Sequence, residues 1–377
     1  MTDPALAGFD DIIDVRTPSE YAEDHVPGAI NLPVLDDAER ARVGTIYKQV
    51  SPFDGRRVGG ALVAANAAVH ISGPLADRGG AWQPLLYCWR GGQRSGSFAT
   101  ILSQIGWRAS VLEGGWKTWR RLVLDMVERD GPVSPVLVLD GNTGSAKTRV
   151  LARLAARGVQ VIDLEGLANH RGSLFGAMDG GQPPQKLFET RLALAMARLD
   201  PARPVVVEAE SSRIGGIVVP RGMWRALCAA PRVRLVVPAA ARAAFTTGDY
   251  ADVLEDRGRV ERTIARLAPM HPAARIDSWR GMAQAGAWEA LALELMRDHY
   301  DPRYLSHRDR YSSMEIGEIA LDRLDEPAQE QAAARVEAVL ESDAFRRFGA
   351  ARGDEAAARR TAPGAGDVSG RRTPQAR

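Results

Sequence analysis

The sequence predicts two α/β units in series, the second a doubly wound parallel sheet that runs on into a helical C-terminal part. Three observations carry this. Over residues 1–130, short β-like runs alternate with helical stretches and Gly- or Pro-bearing turns. The segment Asp130-Gly131-Pro132-Val133-Ser134-Pro135 then places two prolines and a glycine where no helix continues. After it come four apolar runs, Val136 to Asp140, Val159 to Leu164, Val205 to Glu208 and Val233 to Val237, with helical stretches between them. Apolar runs without alternation are buried on both faces, the habit of parallel strands covered by helices on either side.

The elements follow in order. Asp11 to Val15 and Pro84 to Tyr87 are the β-like runs of the first unit, and Ser95 to Ile105 predicts a helix. In the second unit a helix is expected from Arg149 to Ala156, directly after the first apolar run. From Ala251 to about Phe348 the chain is rich in Ala, Leu, Glu and Arg, which predicts helices, and no internal repeat is present. The expected boundaries are 1–130, 131–350 and a tail, 351–377, whose Ala/Gly/Pro/Arg composition predicts disorder.

Composition bounds the function. The chain has 377 residues, 45% hydrophobic and 25% charged, which is material for more than one core. Lys+Arg number 49 against 47 Asp+Glu, a net charge of +2 that exerts no global pull on nucleic acid, although local basic faces fit within a neutral total. No run of 18 apolar residues predicts a membrane span. The N-terminal MTDPALAGFDDIIDVR carries acids where a secretory signal carries bases. The two cysteines, Cys88 and Cys228, exclude a disulfide scaffold and a cysteine-rich zinc site. The expectation is a soluble, reduced, cytoplasmic protein without a membrane partner.

The first chemical feature is Tyr87-Cys88-Trp89-Arg90-Gly91-Gly92-Gln93-Arg94-Ser95. A strand delivers the cysteine, Gly91 and Gly92 turn the chain, and a helix begins. Such a turn aims backbone N–H groups and a helix dipole inward, binding anions and favouring a thiolate. Arg94 follows Cys88 in a Cys-x5-Arg spacing that can curl round an oxyanion, with Arg90 beside it. The bland alternative is a buried, inert cysteine; two glycines and two arginines within six positions weigh against it.

Asp14-Val15-Arg16-Thr17-Pro18-Ser19-Glu20-Tyr21 and His25-Val26-Pro27-Gly28-Ala29-Ile30-Asn31-Leu32-Pro33, with Leu112-Glu113-Gly114-Gly115-Trp116 downstream, resemble the signatures of a rhodanese domain. The resemblance implies a persulfide-bearing Cys88 held by loop amides, with Asp14, Arg16 and His25 structural. The loop is one residue longer than the commonest rhodanese loop and matches the length used by related dual-specificity phosphatases, which suits a phosphate-sized group.

The second feature is Gly141-Asn142-Thr143-Gly144-Ser145-Ala146-Lys147-Thr148, set between a strand and a helix as a phosphate-binding P-loop requires. Backbone amides from Gly141, Thr143, Gly144 and Ser145 would cradle a diphosphate, Lys147 would neutralise it and Thr148 would take Mg²⁺. Ala146 stands where a glycine is usual, and its methyl is expected to crowd the loop and weaken ordinary nucleotide binding. Glu208 or Glu210, at the end of an apolar strand, would hold Mg²⁺ or polarise its water; capping the next turn accounts equally for them. No other metal site is evident. Asn169-His170-Arg171-Gly172-Ser173 and Ser211-Ser212-Arg213-Ile214-Gly215 are further compact anion-binding combinations, and solvated loops account for the same residues. Loops after parallel strands share one sheet edge, so these clusters are expected to converge.

In this order and spacing the motifs resemble the tRNA 2-selenouridine synthase family over residues 8–348. The resemblance implies a tRNA partner carrying wobble 2-thiouridine, S-geranylation from geranyl diphosphate, and replacement of the S-geranyl group by selenium from selenophosphate. On these residues, selenium is expected to rest on Cys88 as a selenyl sulfide before transfer and Lys147 to meet the prenyl donor's diphosphate rather than ATP; no tightly bound cofactor is expected, and a selenophosphate-producing enzyme is the expected functional partner. Arg257, Arg259, Arg262, Arg303, Arg308 and Arg310 are candidates for tRNA phosphates, each with a solvated helix face as the alternative. Trp89 is placed to stack on an extruded base, whereas Trp107, Trp116 and Trp119 are expected to pack. The competing readings are a rhodanese-type sulfurtransferase coupled to a nucleotide-dependent P-loop domain, a non-catalytic binding module, which the presence of Cys88 disfavours, and a Cys-x5-Arg phosphatase, for which no loop acid is evident.

Overall fold

The structure is a computed structural model that describes residues 8–348, with the side chains of 305–311 outside the description. The predicted tail 351–377 and the side chains of Arg308 and Arg310 therefore lie outside the described residues.

The first unit is a parallel sheet of β1 (Asp11–Asp14), β2 (Ala29–Asn31), β3 (Pro84–Tyr87) and β4 (Ser110–Val111) in the order β2-β1-β3-β4. Pro84-Leu85-Leu86-Tyr87 is buried at every position, as an inner strand must be when helices cover both faces. Thr17 and Glu20 form a reciprocal capping box, and Pro18 stands in the first turn, so the helix Pro18–Glu23 starts where its sequence dictates. Ile13, Val15, Leu86, Phe98 and Leu102 fill the core beneath.

The second unit is a five-stranded parallel sheet built from β5 (Val136–Gly141), β6 (Gln160–Ile162), β7 (Val205–Glu208), β10 (Arg232–Val236) and β11 (Glu315–Ala320), ordered β11-β10-β5-β7-β6. A two-stranded ribbon, β8 (Arg213–Ile214) and β9 (Ile217–Val218), stands apart from it. One face of the sheet buries Phe188, Leu192, Met196 and Leu227, and the other buries Val150, Leu154, Ala332 and Val336. The continuous apolar runs are thus sandwiched between helices.

The C-terminal part is mainly helical as expected, but it also contains β11, which the sequence did not reveal. Only Ile319 of Glu315-Ile316-Gly317-Glu318-Ile319-Ala320 is well buried besides the flanking Leu321. Glu315 and Glu318 pair with Arg234 of the neighbouring strand. Such charges suit an edge strand and hide it among helix-like composition. The remainder of 251–348 is helical, around Val253, Val260, Ile264, Trp279 and Leu295.

Two helices also start earlier than expected, at Gln93 and Lys147 rather than Ser95 and Arg149, because Gly92 and Ala146 each adopt a left-handed cap directly before them. The linker stretch opens with Gly131 at φ +75, ending the π-turn Asp125–Asp130. Across the two units, Lys186 of the helix Gln185–Ala197 pairs with Glu23 at 2.6 Å, and Arg120 pairs with Glu189. Among the described residues no helix is long and apolar enough to cross a membrane.

Candidate active site

Cys88 lies one residue beyond β3 and is 3% exposed, with Ser95 Oγ donating to its sulfur at 3.4 Å and the Arg90 carbonyl 3.7 Å away. The loop behind it is pinned from below. The N–H groups of Trp116 and Lys117 donate to the carbonyls of Cys88 and Trp89 at 2.8 and 3.2 Å, giving two orphan donors of the helix Trp116–Leu124 their partners. Gly115 makes this approach possible, since a Cβ there would sit 2.4 Å from the Cys88 carbonyl oxygen. Gly91 and Gly92 both have positive φ with open space around them, so they turn the chain rather than accommodate a neighbour.

Arg94 is held by Glu20, Nη1 to Oε2 at 2.7 Å and Nη2 to Oε1 at 3.2 Å. Against the pull of burial, these bonds keep Glu20 below the ordinary carboxylate range. The guanidinium is therefore oriented by a carboxylate that an incoming anion would have to displace or share. Arg90 is exposed. Trp89 lies against Trp116, ring centroids 4.7 Å apart; Trp107 and Trp116 are buried, as packing residues should be.

The P-loop joins β5 to the helix Lys147–Ala156. Its shape is held from outside. Arg242 donates to the Thr143 carbonyl at 3.0 Å and pairs with Asp301 at 2.6 Å, and Asp301 also accepts from Asn142 at 2.9 Å. Gly144, at φ +78, lies where a Cβ would meet Thr246 Oγ1 at 2.5 Å. Ser145 Oγ is buried without a hydrogen-bond partner among the described residues. Ala146 takes φ +59 and ψ 28, and it both lines the loop cavity and packs into the core with Val150 and Leu151.

Lys147 is buried and donates to the Gly141 carbonyl at 2.9 Å. Burial opposes its charge, but Tyr304, Glu165, Glu210 and Asp140 outweigh burial and hold the amine above its ordinary value. Thr148 Oγ1 donates to Glu165 at 3.0 Å and lies 3.4 Å from Glu208, whose other oxygen accepts the Glu165 N–H at 2.8 Å. Burial first, and then the neighbouring carboxylates, push Glu208 and Glu210 well above the usual carboxylate range. Among the described residues no three His, Cys, Asp or Glu side chains stand together as a metal-ligand set.

The expected convergence at the sheet edge occurs in part. A cavity of about 360 Å³ is lined by the P-loop together with Glu165, His170, Arg171, Gly172 and Glu210. Gly172 lets two carboxylates close in, since a Cβ there would meet Glu165 at 2.2 Å and Glu210 at 2.8 Å. Arg171 pairs with Asp252 at 3.0 Å beneath the Tyr250 ring. Arg213 is exposed on the β8–β9 ribbon and does not line this cavity. A narrow apolar pocket lined by Phe175, Val253, Leu254, Trp288, Leu291 and Leu295 shares Thr143, Ser173, Thr246 and Tyr250 with the P-loop cavity. Of the candidate surface arginines, Arg259 donates to the Ala177 carbonyl, and Arg262 forms an exposed pair with Asp256.

Two family models match the sequence, the tRNA 2-selenouridine synthase AAA domain over residues 134–271 and the rhodanese-like domain over 3–122. A tRNA 2-selenouridine synthase of Chromohalobacter salexigens is 34% identical over 345 residues, spanning 81% of this chain and 91% of its relative. The chain belongs to the tRNA 2-selenouridine synthase family. Further members from Aeromonas salmonicida and Cupriavidus pinatubonensis are 38% and 33% identical, over 66% and 79% of this chain and 67% and 89% of theirs. As a member of this synthase family the protein is an enzyme, a transferase.

Sequence reasoning missed several site residues of this synthase. Glu165 and Tyr304 reach Lys147 from a short helix and from the distant helix Asp301–Arg308, and nothing local marks either. The Arg242–Asp301 brace spans 59 positions. Asp163, which lines the P-loop cavity and caps the helix Leu164–Ala168 by accepting the Gly166 N–H at 2.7 Å, closes an apolar run as Asp140 does and was legible in the sequence.

Proposed function

We propose that this synthase alkylates the sulfur of wobble 2-thiouridine in tRNA with geranyl diphosphate, and then replaces the S-geranyl group with selenium from selenophosphate. The observation that carries the first step is the junction of a phosphate loop with an apolar pocket through Thr143, Ser173, Thr246 and Tyr250. An amphipathic donor, anionic at one end and hydrocarbon at the other, matches that junction better than a nucleotide does. Lys147 and the loop amides bind the diphosphate, and the apolar wall orients the chain so that its first carbon faces the nucleoside. The thiouridine sulfur attacks that carbon, the carbon–oxygen bond breaks, its electron pair leaves on the diphosphate, and the base loses its N3 proton. Charge developing on the leaving group meets a preorganised ammonium and oriented N–H groups. The oxygen donors of Thr148 and Glu208 suit Mg²⁺, which ordinarily takes one or two protein ligands plus phosphate and water. When bound there, Mg²⁺ would neutralise diphosphate charge.

In the second step, selenophosphate held at the Cys88 loop attacks C2 of the base through its selenium, the C2–S bond breaks and geranylthiolate leaves as the thiol. Water then cleaves the Se–P bond to release phosphate and leave 2-selenouridine. The loop's amides and arginines support an anionic selenium donor at that place.

Mass spectrometry of tRNA nucleosides tests both steps. Lys147→Ala is expected to slow geranylation about 10²–10³-fold at limiting donor, the usual cost of losing one donor to developing charge. Cys88→Ser is expected to geranylate normally and fail to form 2-selenouridine. Geranylation unchanged in Lys147→Ala, or selenation at full rate in Cys88→Ser, would overturn the corresponding step.

A further inference from the structure

The apolar pocket against the phosphate loop runs along a single helix face. Trp288, Leu291, Ala292, Leu295 and Met296 all line it. Their spacing of three and four residues puts them on one stripe of the helix Trp288–Leu295 and its continuation Met296–Tyr300. The stripe has a direction. Met296 stands at the phosphate end, since a Cβ on Gly144 of the P-loop would meet its Cε at 2.7 Å. Trp288 comes two turns earlier, so at about 1.5 Å per residue it lies about 12 Å from Met296 along the axis.

Trp288 sits at a corner. Gly286, at φ +70, ends the helix Ala273–Ala285, and Ala287 turns the chain so that Trp288 is the first residue of the next helix. The indole is half-buried and packs against the cluster that contains Val260, Leu291 and Leu295. The largest side chain of the lining therefore stands at the end of the stripe far from the phosphates. Phe175, Val253 and Leu254 complete the walls, and among the described residues no charged side chain lines the pocket. Its volume is about 70 Å³ against about 360 Å³ for the P-loop cavity, a slot for one chain.

A slot closed at one end measures what enters it. Carbon–carbon bonds of about 1.5 Å, zigzagging, lengthen a prenyl chain by about 5 Å per isoprene unit. With the diphosphate on the phosphate loop, two units reach about 10 Å and end near the indole, whereas a third needs about 5 Å more and meets the ring. Forcing those extra carbons in is as unfavourable as overpacking a core. Resting on the reading that the donor is a prenyl diphosphate, we propose that Trp288 closes the slot and limits the donor to the length of a geranyl chain.

The test measures binding of geranyl, farnesyl and inorganic diphosphate to the full-length protein by calorimetry, alongside transfer to tRNA read by nucleoside mass spectrometry. Inorganic diphosphate meets only the phosphate loop, so it reports whether a variant keeps that site. Wild type is expected to bind geranyl diphosphate at least about tenfold more tightly than farnesyl diphosphate. Trp288→Ala should bring the two within about twofold and let farnesyl reach tRNA. Ala292→Phe, which raises a barrier one turn nearer the phosphates, should weaken geranyl diphosphate about tenfold and leave dimethylallyl diphosphate, a single unit long, unchanged. Equal affinity of wild type for the two longer chains would overturn the assignment, and so would the wild-type preference surviving in Trp288→Ala while inorganic diphosphate still binds. Geranyl diphosphate held by Ala292→Phe as tightly as by wild type would do the same. If tRNA is geranylated in those cases, the proposed reaction stands without the slot. A wild type that never prenylates tRNA, yet shows the Trp288-dependent preference, would refute the reaction and leave the slot standing.

Discussion

Replacing Gly115 with alanine probes the contact that fixes the cysteine loop. Gly115 has φ +59 and ψ −152, a region essentially closed to residues with a side chain. An added Cβ would lie 2.4 Å from the Cys88 carbonyl oxygen and 3.2 Å from its carbon, both backbone atoms that cannot swing aside. The backbone conformation costs about 1–3 kcal/mol, and relieving the overlap by moving the loop adds about 1–3 kcal/mol. The sum, about 2–6 kcal/mol, is a large share of the roughly 5–15 kcal/mol that stabilises a domain. Each kcal/mol moves the Tm of a unit this size by about 4 °C or more, so the unfolding transition of the first unit should fall by at least about 8 °C. Because Cys88 is buried and its carbonyl caps the helix behind it, displacement should also expose the thiol. Iodoacetamide labelling, mapped peptide by peptide, should rise several-fold at Cys88 and stay constant at Cys228 in the other unit. An unchanged transition together with unchanged Cys88 labelling would refute the claim that this glycine sets the loop.

Two further outcomes follow from particular residues. Ala146→Gly should leave the Tm within about 3 °C, because relief of left-handed strain (about 1–2 kcal/mol) is offset by a lost buried methyl (about 0.8 kcal/mol) and greater chain freedom when unfolded (about 0.4–1 kcal/mol); a rise beyond 5 °C would mean that strain dominates. Asp24 is fully buried, accepts from Trp116 at 3.2 Å, and is pushed above its ordinary value by burial despite Arg120 and Arg16. A raised folded-state pKa means that its contribution is present below the unfolded value and lost as pH rises through the folded one. Asp24→Asn should therefore melt above wild type at pH 8, with the gap closing toward pH 4; a gap that widens on acidification would reverse the assignment.

Much of the fold was legible because its signals are local. Val136-Leu137-Val138-Leu139 and Val205-Val206-Val207 announce buried parallel strands by having no polar face, and Gly91-Gly92 and Gly144 announce turns at positive φ. β11 escaped because an edge strand buries one face poorly and carries the charges that its exposed rim requires. Arg94 and Lys147 were legible as charged groups beside loops, but their electrostatic setting was not. Glu20 lies 74 positions from Arg94.

The sequence by itself determined two glycine-turned loops, each following an apolar strand, and the residue types able to meet an anion in each. Those features depend on backbone φ and on neighbours within a few positions. Only the tertiary structure decided that Glu165, Glu210 and Tyr304 crowd round one lysine and that an apolar pocket opens against the phosphate loop. Burial and charge proximity are properties of the packed chain, and they bring together groups that sequence spacing leaves unrelated.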